Sequence, residues 1–432
     1  MKTEMKKAIV FDLYDTLVHV DSMDFSKGLR LMYERYMKPF CTLYDVMEYS
    51  KKSLNKYLER HREGREYAFL SEEVPDFFSA LGVEASTPDE SFEYEFMKAA
   101  GSFSVADEDR ETLERLYSKG VYMYVLSNSI YSARSAGRLL EELGIGKYFR
   151  RVFSSADHGI AKPSRAFFDI AIAAVRQDIP GIDAGEIVFT GDRYDLDAAG
   201  GCGAGMRTAW INRKNEENKA CLPVRVISGI TETEKILFPG KTVCVGDSLT
   251  EGDWGVIPGL FAPNVHSENY PYYLSLLTGG ETENRGKCGY KASGILEWYK
   301  EGSFSVKGAE RIVILLGTNG GNDPDADTED NRAYRELLRL FETEEPEAEI
   351  CLCTPPNATK VPGKFFYGYA PHVEKSVRFV RALARETGHR LIDLAASPRI
   401  TPETEAELQP NDGLHFCAEG YRVLAEEIYR QI

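Results

Sequence analysis

The chain has 432 residues, and its 52 Lys and Arg against 68 Asp and Glu give a formal net charge of −16 at pH 7. Hydrophobic residues make up 43% of it, so it can bury sizeable cores, and at roughly 100–200 residues per domain it should form two or three domains. The negative charge argues against nucleic acids and anionic membranes as partners, because both need a positive protein surface.

The N-terminal region and the cysteines bear on the cellular compartment. Asp12 and Asp15 interrupt the first apolar run and no small-residue cleavage site follows, so we expect no signal peptide. No stretch reaches the roughly 18 apolar residues of a membrane helix. The eight cysteines are scattered without a C-x-x-C pair, which is typical of reduced thiols. We therefore predict a cytoplasmic protein with no membrane partner, and the sequence leaves its oligomeric state open.

Short apolar runs that predict β-strands alternate with helical patterns along most of the chain. The clearest runs span residues 7–13, 122–128, 186–192, 208–212, 241–248, 311–319 and 349–356. Runs of this kind followed by helices indicate parallel sheets buried on both faces. The predicted fold class is therefore α/β, with ligands expected beyond the carboxyl ends of the strands.

Two features predict how the chain divides. Residues from about 20 to 100 show amphipathic helical patterns without a convincing strand, so a helical insertion should cover the loop after the first strand. A new strand begins after Pro239 and Gly240. We therefore predict two doubly wound parallel-sheet domains, at 1–238 and 239–432.

The first domain carries polar groups suited to transferring an anionic group to a carboxylate. Asp12 follows the first strand and is the predicted nucleophile. Ser127, with Asn128 beside it, and Lys162 are predicted to bind the anionic group. Asp192 is predicted to hold a divalent cation, and oxygen ligands with open water positions suit Mg²⁺.

This ordered set resembles the haloacid dehalogenase superfamily, whose motifs are D-x-D-x-T, a Ser/Thr, a Lys and G-D-x-x-x-x-D. The resemblance covers about 1–238 and implies a Rossmann-like sheet with a helical cap at about 20–100. It adds Asp197 and Tyr14 to Asp12 and Asp192 as metal-site residues. Phosphatases of the superfamily have Asp where this chain has Tyr14, and the dehalogenase branch has Tyr there but lacks the metal loop. Three functions of this domain therefore stay open. In order of preference, they are a Mg²⁺-dependent phosphatase, a weakly catalytic sensing domain and a dehalogenase.

The second domain carries the elements of a serine hydrolase. Ser248 follows a predicted strand, and Asp412 and His415 can reach one site from a single turn. Oxyanion donors are expected from the backbone of Ser248, the backbone of Gly286 and the side-chain amide of Asn319.

This second set resembles the SGNH, or GDSL, hydrolases, an esterase superfamily with a flavodoxin-like α/β/α fold. The resemblance covers about 240–432. Gly320 follows Asn319 where the family usually has Asp, and Asn322 is the fallback for the oxyanion amide.

His266 and His372 are interpreted as surface or structural residues. Four aromatic residues at 365–369 fit either a substrate wall or loop packing.

The two resemblances together predict a bifunctional hydrolase acting on small molecules, a Mg²⁺-dependent phosphatase fused to a serine esterase or deacylase. One acylated, phosphorylated metabolite is a candidate substrate for both. The alternatives are an acyltransferase or esterase whose first domain is weakly catalytic, ligand-sensing or dehalogenase-like.

Overall fold

The structure, a computed structural model, describes residues 6–62, 68–255 and 267–432; His266 lies outside these ranges. The chain divides into two compact units, Met1–Leu237 and Phe238–Ile432. Each contains one parallel β-sheet with helices packed against it. The predicted fold class of two doubly wound α/β domains is therefore confirmed.

The first unit is built on six parallel strands in the order β5-β4-β1-β6-β7-β8. Its strands are β1 (Ala8–Phe11), β2 (His19–Met23), β3 (Gly101–Ser104), β4 (Tyr122–Ser127), β5 (Phe149–Ser154), β6 (Ile187–Gly191), β7 (Arg207–Ile211) and β8 (Arg225–Ile227). In the central sheet the strand order reverses between β1 and β6. In open α/β sheets, the crevice beyond such a reversal is where ligands bind.

Ten helices complete the first unit within its described residues. They are α1 (Phe25–Met32), α2 (Leu43–Arg62), α3 (Val74–Ala80), α4 (Glu90–Ala100), α5 (Asp107–Ser118), α6 (Ala133–Glu142), α7 (Ser155–His158), α8 (Arg165–Asp178), α9 (Ala199–Gly203) and α10 (Thr233–Leu237). The first four form the insertion between β2 and β3, which we call the cap. The remaining helices accompany the central sheet.

The strand β2 corrects the expectation that the insertion contains no strand. It pairs antiparallel with β3 at the base of the cap. The sequence pattern missed it because its five residues, HVDSM, are partly or fully exposed and show no apolar alternation. Backbone pairing with β3, rather than burial, forms this strand.

The second unit has five parallel strands in the order β10-β9-β11-β12-β13. They are β9 (Lys241–Gly246), β10 (Thr282–Gly286), β11 (Ala309–Leu315), β12 (Glu349–Cys353) and β13 (Arg390–Ile392). The described helices are α11 (Ser248–Glu251), α12 (Tyr270–Thr278), α13 (Ala292–Lys300), α14 (Glu329–Glu344), α15 (Ala370–Thr387), α16 (Glu405–Leu408) and α17 (Ala418–Tyr429). Here the order reverses between β9 and β11.

Alternate residues of this second sheet face two different helix layers. Val243 and Ile312 belong to a buried cluster with residues of α13, α14 and α15. Cys351 and Cys353 belong to another, with residues of α12 and α17. Burial on both faces explains why these strands appear in the sequence as continuous apolar runs. In the part of the chain that the structure describes, no helix is both long and apolar enough to cross a membrane.

Candidate active sites

The first site lies where β1 and β6 end. Asp12 directly follows β1, and its backbone N–H donates to the carbonyl oxygen of Thr190 in β6 at 2.8 Å. Asp192 directly follows β6, so the two carboxylates project from neighbouring strand ends. Gly191 allows a close approach here, because a Cβ atom at this position would lie 2.4 Å from the Asp197 carboxyl carbon.

Lys162 connects two carboxylates of this site. Its Nζ atom donates to Asp12 Oδ1 at 2.5 Å and to Asp197 Oδ1 at 2.6 Å. Asp197 also accepts a hydrogen bond from the backbone N–H of Arg193 at 2.9 Å. All three charged side chains are buried, so the lysine holds the nucleophile candidate in one orientation.

Asn128 differs from its predicted role. Its Oδ1 accepts from the Lys162 backbone N–H at 2.8 Å, and its Nδ2 donates to the Lys162 carbonyl at 3.0 Å. The Asn128 side chain, which the sequence predicts to bind phosphate, therefore holds the backbone of Lys162 in place. Ser127 is fully buried at the end of β4, and β4 is the neighbour of β1.

The charges of the first site fit a divalent cation. Oxygen atoms of Asp12, Asp192 and Asp197 lie within 4.8 Å of one another. Burial raises the pKa of Asp12 to about 7, although Lys162 opposes the shift. Burial, and then the charge of Asp197, raise the pKa of Asp192 to about 6. When all three carboxyl groups are ionised, one lysine leaves two negative charges of this cluster uncompensated, and carboxylate oxygens are ligands that Mg²⁺ prefers.

Tyr14 contacts the cap and the strand β3. Its hydroxyl donates to Met97 Sδ of α4 at 3.7 Å, and its ring centroid is 6.1 Å from that of Phe103 in β3. Burial raises the pKa of this phenol to about 12. These contacts hold the Tyr14 ring against the cap and the strand at its base, and the metal-site role of Tyr14 stays a prediction.

Asp15, the carboxyl group that follows Tyr14, lies in a tight turn. Its backbone lies in the left-handed region, with φ of 55°, and its N–H donates to the carbonyl of Val18 at 2.8 Å. The exposed carboxylate accepts from the backbone of Val20 at 3.4 Å. This turn holds the Asp15 side chain against its own loop.

The second site lies where β9 and β11 end, at the reversal of the other sheet. Ser248 is the first residue of α11, and Asp247 caps that helix by accepting from the N–H of Leu249 at 3.1 Å. Asn319 follows β11 on the neighbouring strand. Both sites thus occupy corresponding places in their sheets.

A continuous hydrogen-bonded chain connects Ser248, His415 and Asp412. Ser248 Oγ is 2.8 Å from His415 Nε2, and His415 Nδ1 is 2.7 Å from Asp412 Oδ2. The other carboxylate oxygen, Oδ1, accepts from the backbone N–H groups of Leu414 and His415, each at 2.9 Å. This is the geometry required of a nucleophile, a base and an orienting acid.

The two charged members of this chain shift each other's pKa. Burial alone would lower the pKa of His415, but the hydrogen bond and charge of Asp412 outweigh it and raise the pKa above its ordinary value. Burial opposes the shift of Asp412 as well, and His415 nevertheless lowers its pKa. The pair therefore favours imidazolium beside carboxylate, the state formed when the base takes the serine proton.

The two candidate amides for the oxyanion differ in their surroundings. Asn319 is partly exposed and uses Nδ2 to donate to the Tyr290 carbonyl at 2.9 Å. Asn322 is buried, and its Nδ2 faces Asn331 Oδ1 in α14 at 3.4 Å. The choice of Asn319 stays a prediction, and its accessibility favours it.

Gly286 differs from its predicted role as an oxyanion donor. Its N–H donates to Asn284 Oδ1 at 2.9 Å. A Cβ atom at Gly286 would lie 2.1 Å from the backbone nitrogen of Glu251, so the glycine is needed for close packing of β10 against α11. The sequence holds a second glycine, Gly289, and its pattern does not distinguish the two.

Gly289 lies between two anchored residues of the same loop. The Lys287 N–H donates to the Gly246 carbonyl, just before the nucleophile turn, at 3.0 Å. The Tyr290 carbonyl accepts from Asn319. Gly289 has φ of 75° and open space around it. Its N–H is a second candidate for the oxyanion donor, which the sequence pattern did not single out.

Comparisons with known proteins assign a family to each unit. Residues 6–205 match the model of the haloacid dehalogenase-like hydrolases. Residues 244–423 match that of the GDSL-like lipase/acylhydrolase family.

Individual relatives each match part of the chain. Pyrimidine 5'-nucleotidase YjjG of Escherichia coli is 27% identical over 233 residues, or 53% of this chain and 96% of that protein. (S)-2-haloacid dehalogenase 2 of a Pseudomonas species is 29% identical over 132 residues, or 30% of this chain and 54% of that protein. The crystal structure of the lipase/acylhydrolase from Enterococcus faecalis is 23% identical, covers 44% of this chain and 93% of its own, and gives a TM-score of 0.33.

Proposed function

The chain joins a haloacid dehalogenase-like hydrolase domain to a GDSL-like lipase/acylhydrolase domain, and from this premise we propose that it is a bifunctional hydrolase of phosphate esters and carboxylic esters. Membership of both families agrees with the resemblances predicted from the two motif sets. The small-molecule substrate classes proposed below rest on the chemistry of each site.

The second unit is proposed to hydrolyse carboxylic esters through Ser248. Its Oγ forms a bond to the carbonyl carbon while His415 Nε2 takes the hydroxyl proton. The oxyanion accepts hydrogen bonds from the Ser248 N–H, the Asn319 amide and, in place of Gly286, the Gly289 N–H. His415 then gives its proton to the departing alcohol, and water releases the acid from the acyl-enzyme by the same steps. The uninterrupted Ser248–His415–Asp412 chain is the observation that carries this proposal.

The first unit is proposed to transfer a phosphoryl group to Asp12. A carboxylate oxygen of Asp12 forms the new bond to phosphorus as the bond to the alcohol oxygen breaks, and Lys162 and Ser127 bind the phosphoryl oxygens. Water then attacks phosphorus, the bond between Asp12 and phosphorus breaks, and inorganic phosphate leaves. Mg²⁺, held by Asp12 and Asp192, would supply positive charge that reduces repulsion between nucleophile and substrate. Tyr14 offers only a weakly acidic phenol, so substrates with good leaving groups fit this site best.

Tyr14 also supports a second candidate for this unit, binding of a phosphorylated ligand with little turnover. The D-x-Y pattern is shared with dehalogenases, but the Asp192 and Asp197 carboxylates beside Lys162 favour phosphate chemistry over dehalogenation. Measurable turnover of an activated phosphate by the wild type would exclude the candidate of binding alone.

A double dissociation tests the bifunctional proposal. Ser248→Ala should lower the rate of p-nitrophenyl acetate hydrolysis by several orders of magnitude. It should leave the rate of p-nitrophenyl phosphate hydrolysis in the presence of Mg²⁺ unchanged. Asp12→Asn should do the reverse, so each variant is the control for the other. Near-normal esterase activity in purified Ser248→Ala would exclude Ser248 as the nucleophile.

A further inference from the structure

A loop rich in aromatic residues lies against the catalytic base of the second unit. We call residues 361–369, between β12 and α15, the aromatic loop. Phe366 contacts the imidazole of His415 edge to face, with ring centroids 5.5 Å apart. Phe365 and Tyr369 contact Phe366 in turn, at 5.0 Å and 5.4 Å.

Backbone contacts fix this loop to the turn that carries His415. The Phe366 N–H donates to the Asp412 carbonyl at 3.3 Å. Just before the loop, the Thr359 N–H donates to the Gly413 carbonyl at 2.8 Å. These two hydrogen bonds therefore fix the aromatic rings beside His415.

The exposed surface of the loop is apolar. Phe365 is 70% exposed, Tyr367 57% and Val361 48%. Long polar side chains of the same segment are engaged elsewhere, since Lys364 donates to the Pro410 carbonyl at 2.5 Å and Lys360 pairs with Glu374 at 2.9 Å. Exposed apolar side chains next to a catalytic base are a candidate surface for an apolar part of a substrate.

The chemistry of ester cleavage decides which part of a substrate meets this surface. His415 must pass its proton to the leaving oxygen, so the group attached to that oxygen lies on the imidazole side of Ser248. The acyl group, by contrast, is attached to the carbon whose oxygen faces Asn319. Phe366 adjoins the imidazole, and the loop therefore extends the leaving-group side.

We propose, building on the esterase function above, that the aromatic loop binds an apolar alcohol moiety, so the preferred substrates are esters of hydrophobic alcohols. Phe366, Phe365 and Tyr367 provide the contact surface, with Val361 at its edge. The amino groups of Lys360 and Lys364 are already hydrogen-bonded to other residues, so they offer no free partner to a sugar or phosphate beyond the leaving oxygen. This preference separates the ester substrate from the phosphorylated substrate of the first unit.

Two matched series of dissolved esters test this proposal in the full chain. The first series extends the alcohol from ethyl to hexyl acetate, and the second extends the acid from ethyl acetate to ethyl hexanoate. In the wild type, kcat/KM should rise by up to about fourfold per added methylene in the alcohol series. Phe365→Ala and Tyr367→Ala should each flatten that rise, while Leu276→Ala, an exposed leucine of α12, should leave it unchanged.

Each other outcome has a defined meaning. A flat alcohol series in the wild type overturns the proposal, and so does a loss confined to the acid series in Phe365→Ala. A rate that rises only when the ester exceeds its solubility overturns it in favour of binding to a lipid surface. Absence of hydrolysis for every ester overturns the esterase function itself, which is a different result from hydrolysis without the alcohol preference.

Discussion

At the scale of single residues, the second site depends on which amide meets the oxyanion. Asn319→Ala should lower kcat for ester hydrolysis by about 10²–10³ with a smaller change in KM, because the lost hydrogen bond forms only in the transition state. Steady-state kinetics on a soluble ester provides the measurement.

Asn322→Ala is the matched control for this experiment. Its buried amide faces Asn331, so its loss should lower the free energy of unfolding by about 1 kcal/mol and leave kcat nearly unchanged. The reverse result, a large kcat loss in Asn322→Ala alone, would mean that the loop after β11 presents the other asparagine to the substrate.

Individual residues also mark where the sequence was sufficient and where it was not. The sequence predicted that Ser248, His415 and Asp412 come together, because a serine hydrolase needs each chemical type, and the three are hydrogen-bonded in the structure. The roles of Gly286 and Asn128 could not be predicted, since a backbone N–H or an amide has several possible partners. In the folded chain, the Gly286 N–H donates to the Asn284 side chain, and the Asn128 side chain accepts from the Lys162 backbone.

At the scale of elements, the cap and the strand β3 determine the environment of Tyr14. Tyr14→Asp should raise the rate on an alkyl phosphate more than the rate on p-nitrophenyl phosphate, because only the alkyl leaving group needs a proton. General acid catalysis contributes typically about 10²–10⁴-fold, and loss of the contacts with Met97 and Phe103 reduces the expected gain. The decisive quantity is the ratio of the two rates, measured with Mg²⁺.

Tyr14→Phe separates the two roles of this residue. It keeps the aromatic contact with Phe103 and removes the hydroxyl, so the ratio of rates should stay at the wild-type value. Rapid alkyl-phosphate turnover by the wild type would contradict the account, since it would require an acid other than Tyr14.

The secondary structure followed from the sequence where burial imposes a pattern. Each of the seven predicted apolar runs overlaps a strand of the two sheets, because strands buried on both faces need continuous apolar residues. The strands β2 and β13 are largely exposed or only partly buried, and their formation depends on pairing with a neighbour. Such pairing leaves little trace in the local sequence.

At the scale of the whole molecule, each unit has its own buried clusters. One cluster joins β1, β4, β6 and α8 within the first unit, and two cover the faces of the sheet in the second. We therefore expect fragments 1–237 and 238–432 to fold separately, each with a single cooperative unfolding transition in urea. Circular dichroism and the activity of each fragment check this, and a fragment that stays unfolded would contradict it.

The two oxygen atoms of the Asp412 carboxylate have different functions. Oδ2 orients the imidazole, while Oδ1 holds the turn through the N–H groups of Leu414 and His415. Asparagine offers one acceptor oxygen instead of two, and glutamate would displace both by a methylene group. A substitution at Asp412 therefore disturbs the turn and the orientation of the His415 base together.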